Sequence, residues 1–122
     1  MTASDLEAAL AYLIVKVLAG NKNKILAIYE YLVLDKSIRE VKEKYGFSKS
    51  QIKGWSYRLM RYRGAKKLLA KTINDLLEIE PIITKDNICK ICKAQISDPE
   101  RHVLKHKFIV NRHIQKILEK LK

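Results

Sequence analysis

The spacing of apolar positions makes most of this chain helical. Leu6, Leu10, Leu13 and Val17 fall at a/d spacing, and Ala9, Ile14 and Leu18 widen the stripe. Ser4-Asp5-Leu6-Glu7 has the form of a capping box and Gly20 is a natural stop, so a helix is predicted between them. A stripe this wide, interrupted only by Lys16, has to be buried, either in the chain's own core or in a dimer interface. A second helix is predicted from Lys22 to Leu34, with Ile25, Ile28, Tyr29 and Leu32 inward. Ser37-Ile38-Arg39-Glu40 is another capping box and opens a short helix through Tyr45, which Gly46 breaks. Ser48-Lys49-Ser50-Gln51 opens the next, running toward Arg63, and Gly64 allows a bend or a stop. Ala65 to Glu80 forms a further amphipathic helix, with Leu69, Ile73, Leu76 and Leu77 inward, until Pro81 ends the ladder.

Beyond Pro81 the pattern changes. Ile82, Ile83, Ile88 and Ile91 around Asp86-Asn87 suit a short hairpin, and Asp98-Pro99-Glu100 starts a last helix that reaches toward Leu121. The expected fold is therefore mostly α: an N-terminal helical bundle over residues 1–80, then a small ββα-like module with an extended helix over residues 81–122.

The chain has 122 residues, short for a dinucleotide-binding enzyme or a barrel hydrolase. No stretch approaches the ~20 apolar residues that span a bilayer. Met1 to Asp5 carries no basic region of the secretory type, so an intracellular, nucleoid-associated protein of the cytoplasm is expected. Lys and Arg number 25 against 13 Asp and Glu, a formal charge of +12. The excess is concentrated: residues 36–71 hold twelve Lys and Arg against only Glu40 and Glu43. A local excess of this kind points to a polyanion, nucleic acid before a membrane surface.

That basic segment also carries a packing pattern. Val41 and Tyr45 face inward from one short helix, Gly46 takes the turn, and Phe47 plugs the corner. Ile52, Trp55, Leu59 and Tyr62 face back from the next helix, and the helix before them supplies a third wall. The stretch SIREVKEKYGFSKSQIKGWSYRLMRYR resembles the helix-turn-helix family in its homeodomain-like, three-helix form. It departs from that family at Lys42, where a small residue is usual, and at Gly54, in the helix interior. The resemblance implies that the second helix lies in the major groove of DNA with Lys49, Ser50, Gln51, Lys53, Gly54 and Tyr57 outward. Gln51 suits adenine, Lys53 suits guanine, and Ser50 suits a base edge or a phosphate. Arg58, Arg61, Arg63, Lys66 and Lys67 follow where backbone contacts are expected.

The second constellation is Cys89-Lys90-Ile91-Cys92 with His102 and His106. Two thiolates and two imidazoles are a donor set for tetrahedral zinc, and i,i+4 spacing puts both His on one helical face. The spacing C-x2-C-x9-H-x3-H is similar to the shorter bacterial, Ros-type zinc finger, although Pro99 stands where such a finger has Leu. A competing pair, His106 with His113, is seven residues apart, ~10.5 Å along an ideal helix, and is disfavoured for that reason. Four protein donors leave no open position, so a structural zinc that folds residues 82–122 is expected. Glu100 is near, but the deaminase pattern of His-x-Glu before Pro-Cys-x-x-Cys is absent. Asp75, Glu78 and Glu80 read as a solvated helix end, and no enzyme activity or small-molecule substrate is expected.

Together these features predict a sequence-specific binder of double-stranded DNA, a transcriptional regulator acting as a homodimer. The alternatives are a DNA-packaging, replication or recombination accessory factor, and a protein–protein adaptor that docks its zinc module on a larger transcription or replication complex.

Overall fold

The computed structural model describes residues 3–121, with side chains from Asp5 onward, so the side chain of the expected Ser4 cap lies outside what is described. It holds seven helices: α1 (Ala3–Leu18), α2 (Lys22–Leu32), α3 (Ile38–Tyr45), α4 (Lys49–Met60), α5 (Ala65–Glu78), α6 (Pro99–Val103) and α7 (Lys107–Leu121).

The most apolar helix of the chain is also its centre. α1 packs against α2, α5, α6 and α7. Leu10, Leu13, Ile14, Val17 and Leu18 are wholly inaccessible, each burial contributing about 1.5–3 kcal/mol. The stripe is thus taken up by the chain's own core. The same apolar cluster runs from Ala9 through Leu69 and Leu76 to Val103, Val110, Ile114 and Ile117, on both sides of Pro81.

α2, α3 and α4 pack on one another in pairs. Their ends are set locally. The Ser37 hydroxyl accepts from the Glu40 N–H at 3.1 Å and starts α3. Gly46, at φ 77°, closes it in the left-handed conformation that glycine adopts without strain, and its N–H donates to the Lys42 carbonyl. Ser48 and Gln51 form a reciprocal capping box at the start of α4. Phe47 stands edge-on to Trp55 with ring centroids 4.8 Å apart, and Trp55 is buried. α4 stops at Met60, short of Arg63, because the Arg61 and Tyr62 N–H groups turn back to the carbonyls of Arg58 and Leu59.

The C-terminal module departs from the expected ββα unit. Among the described residues there is no strand, only two isolated bridges, Ile83 with Cys89 and Ile88 with Gln95. The expected turn at Asp86-Asn87 is present, with Asn87 at φ 60° and Thr84 accepting its N–H. The backbone after it cannot stay extended. Cys89 accepts from the Lys93 N–H and donates to Ala94, and Lys93 sits at φ 64°. The cysteine loop therefore uses up the residues that a second strand would need.

The last helix is also broken. α6 ends at Val103 and α7 begins at Lys107. Across Leu104 to His106 the chain tightens, with Lys105 donating to His102 and His106 to Val103. The bend lets α7 run along α1 with Val110, Ile114 and Ile117 buried. No helix among the described residues is long and apolar enough to cross a membrane.

Candidate metal centre and basic surface

Cys89, Cys92, His102 and His106 converge. Cys89 and Cys92 lie on the tight loop after the Asn87 turn, His102 in the last turn of α6, and His106 in the bend before α7. One ligand atom from each lies within 4.8 Å of the others. Cys92 Sγ is 3.3 Å from His102 Nε2. Cys89 Sγ is 3.5 Å from His106 Nε2. The two Nε2 atoms are 3.3 Å apart.

These separations can be compared with a tetrahedron built on Zn–N of ~2.05 Å and Zn–S of ~2.3 Å. Its N···N edge is ~3.3 Å and its N···S edge ~3.5 Å. The three separations match such a tetrahedron, so the four donors could hold a metal ion. Two of the donors are shifted in the direction that ligation needs. Burial pushes the Cys89 thiol up, yet the backbone N–H groups of Cys92 and Ile91 hold it below its ordinary value. Desolvation, then the charges of His106 and Lys105, hold the His102 imidazole below its ordinary value. His113 is not part of the cluster; it lies half-buried on α7 in a groove with Asp75 and Glu78.

The module is fastened to α1 from two sides. The Ile82 and Ile83 N–H groups donate to the Leu18 carbonyl at 2.8 and 3.3 Å, satisfying an acceptor at the C-terminus of α1. The Glu100 carboxylate receives Lys16 Nζ at 2.9 Å, Lys24 Nζ at 2.6 Å and Asn21 Nδ2 at 2.9 Å. Burial alone would raise the Glu100 carboxyl, but the Lys24 and Lys16 ammonium groups hold it below the usual range. Lys16, buried in the last turn of α1, thereby finds its counter-charge on α6. The Lys16 and Lys24 ammonium groups also stand over the rings of Tyr12 and Trp55.

A second buried charge escaped the sequence pattern. Glu30, on the inner face of α2, receives Lys36, Lys44 and the Tyr45 hydroxyl. Burial pushes its carboxyl up, but those three hydrogen bonds outweigh burial and bring it down to about 2. The same contact, with burial, pushes the Tyr45 phenol up to about 12. Glu30 thus ties α3 to α2. A polar residue amid Ile25, Ala27 and Ile28 was the only signal in the sequence that could have pointed to it.

The proposed nucleic-acid residues are exposed, apart from the half-buried Gly54. Lys49, Ser50, Gln51, Lys53, Tyr57 and Arg58 are exposed on α4, Tyr57 to 74%, while Ile52, Trp55 and Leu59 are buried behind them. Arg61 and Arg63 are exposed in the turn after α4, and Lys66 and Lys67 are exposed on α5. Among the described residues Lys49, Lys53, Arg58, Arg61, Arg63, Lys66 and Lys67 form no ion pair. Gly54 lies between them, and a methyl group there would meet nothing within 4 Å. Gln51 is partly committed, because its Oε1 accepts from the Ser48 N–H at 2.9 Å. Its carboxamide NH2 is the part left for a ligand.

No family model, curated protein or solved structure matches this chain, so its chemistry rests on the geometry of these two surfaces.

Proposed function

We propose that this protein binds double-stranded DNA sequence-specifically through α4, as a transcriptional regulator, and carries a structural zinc ion on Cys89, Cys92, His102 and His106. The observation that carries the DNA reading is the outward face of α4. It combines exposed, unpaired cations with an exposed Tyr57 and a glycine that nothing inside the chain requires. In a helix-turn-helix the second helix enters the major groove while the first crosses the backbone. Here α3, the Gly46 turn and α4 have that order, backed by α2. Lys53 and Tyr57 would meet base edges, and Arg58, Arg61, Arg63, Lys66 and Lys67 would meet phosphates. Dimerisation would set two such helices on a palindromic site.

For the metal, two thiolates and two imidazoles at tetrahedral separations favour zinc over harder cations, and a closed donor set favours a structural role. Zinc bound there would hold the cysteine loop and the α6–α7 bend in place.

Selection of bound duplexes from a random pool tests the DNA reading. A defined motif is expected, and Lys53→Ala should relax the base preference at one position. Arg61→Ala should weaken all sequences alike and lower the salt slope by about 1. Absence of any salt-dependent duplex binding would transfer the basic surface to a protein partner and overturn the proposal.

A further inference from the structure

α4 is not the only carrier of exposed positive charge next to a groove. A groove between α1, the turn after α4 and α6 is lined by Tyr12, Lys16, Tyr62, Asp98, Glu100 and Arg101, among others. It borders α4, because the Tyr12 hydroxyl donates to the Trp55 carbonyl at 3.2 Å, and Arg58 is exposed three residues further along that helix. Arg101 lines it from α6. Arg101 also lines a second groove, beside the metal ligand His102, together with Lys105 and the 94–98 loop. Arg101 and Lys105 therefore carry a row of exposed positive charge from the Tyr12 groove beside α4 to the candidate metal centre.

Of the two carboxylates here, Glu100 is neutralised by Lys16 and Lys24, while Asp98 accepts the Arg101 N–H as the cap of α6 and keeps its charge, which leaves Arg101 and Lys105 in excess. Arg101 and Lys105 are exposed and, among the described residues, form no ion pair. Two thiolates neutralise a divalent metal, so the bound ion would add no net charge to set against the row.

We infer that a DNA duplex lying on α4 continues across the Tyr12–Tyr62 groove onto Arg101 and Lys105, which bind its backbone phosphates. The inference rests on the proposal that α4 binds duplex DNA, and adds that the metal module is a working half of the same interface. The module contributes affinity and salt dependence without base readout, since neither cation is placed by a groove-filling helix.

The test uses the metal-loaded full chain and a duplex carrying the selected motif. Arg101→Gln with Lys105→Gln should lower affinity about tenfold at moderate salt and reduce the salt slope by about 2, with the preferred motif unchanged. Arg101→Lys with Lys105→Arg should keep both, which separates loss of charge from damage to the neighbouring ligands. Metal content by elemental analysis should match the parent in both variants. An unchanged slope in the glutamine variant, while Lys53→Ala still relaxes base preference, overturns this inference alone. A parent chain that binds no duplex overturns the α4 proposal and this one with it. A loss confined to single-stranded DNA would also overturn it, because the row would then serve a different path.

Discussion

The α2–α4 unit and the cysteine–histidine module are similarly small, yet they are held together by different means. In the first, Val41, Ile52, Trp55 and Leu59 close a shared apolar interior, and one buried carboxylate, Glu30, ties the helices across it. In the second, Ile82, Ile83, Cys89, Ile96 and Val103 supply the apolar contacts, and they lean on α1. Its loop has two isolated bridges and four convergent donors in place of a sheet. The comparison teaches that the first unit closes its own apolar interior, whereas the second leans on α1 and gathers four donors that could hold a metal ion.

The sharpest way to break that comparison is to remove the metal. Cys92 is exposed, so Cys92→Ser takes away a ligand without opening a cavity. A structural zinc carries an apparent ~10–16 kcal/mol of binding free energy in finger peptides, so the module should unfold at ambient temperature. Chelation should do the same. Thermal melting followed by circular dichroism, with elemental analysis, should show metal lost and the α2–α4 helices retained. An unchanged melt in a protein with no bound metal would show that the module is packed rather than ligated.

Next comes the join between the halves. Glu100→Ala leaves the Lys16 ammonium, only 5% exposed, without its counter-charge. The expected loss is about 3 kcal/mol, the low end for breaking a buried pair, because Glu100 itself keeps some exposure. Denaturant unfolding measures it, and a loss below about 1 kcal/mol would mean that the Leu18 carbonyl contacts hold the module alone.

Glu30 sharpens the other half. Glu30→Gln weakens three hydrogen bonds and should cost about 2 kcal/mol. The folded carboxyl is depressed to about 2 from an ordinary 4.5, so its contribution is full above about 4.5 and is lost as pH falls toward 2. Stability of the parent should decline through that window, and the decline should flatten in Glu30→Gln. A parallel decline in both would assign acid sensitivity to Glu100 and the other carboxylates.

The smallest expected effect is the most discriminating for function. A Cβ at Gly54 meets nothing within 4 Å, so Gly54→Ala should stabilise α4 by up to ~1 kcal/mol. If DNA closes on that face, the same change should weaken duplex binding. A gain in both stability and affinity would remove close approach as the reason for the glycine.

Much of this was legible in local sequence. The Ser37 and Ser48 caps, the Gly46 turn, the Phe47–Trp55 plug and the pairing of C-x2-C with His102 and His106 depend on residues within a few turns of one another. The hairpin was legible only as a turn, because β-bridging after Asn87 competes with the loop that aims two sulfurs at one point. The break at Leu104 carries no glycine or proline to announce it; α7 bends away there and packs along α1. Glu100 reads in the sequence only as a carboxylate near the metal ligands, and nothing local to Glu30 marks its partners on α3.

Helix caps, the turn glycine and ligand spacing are written in the chain, because each is decided by neighbours that covalent geometry already holds close. Which charges are buried, and against what, was decided only on folding. Lys16 and Glu100 are 84 positions apart. Their pairing exists because α1 is wrapped on several sides, and a charge shut away from water must find its opposite wherever the fold brings one.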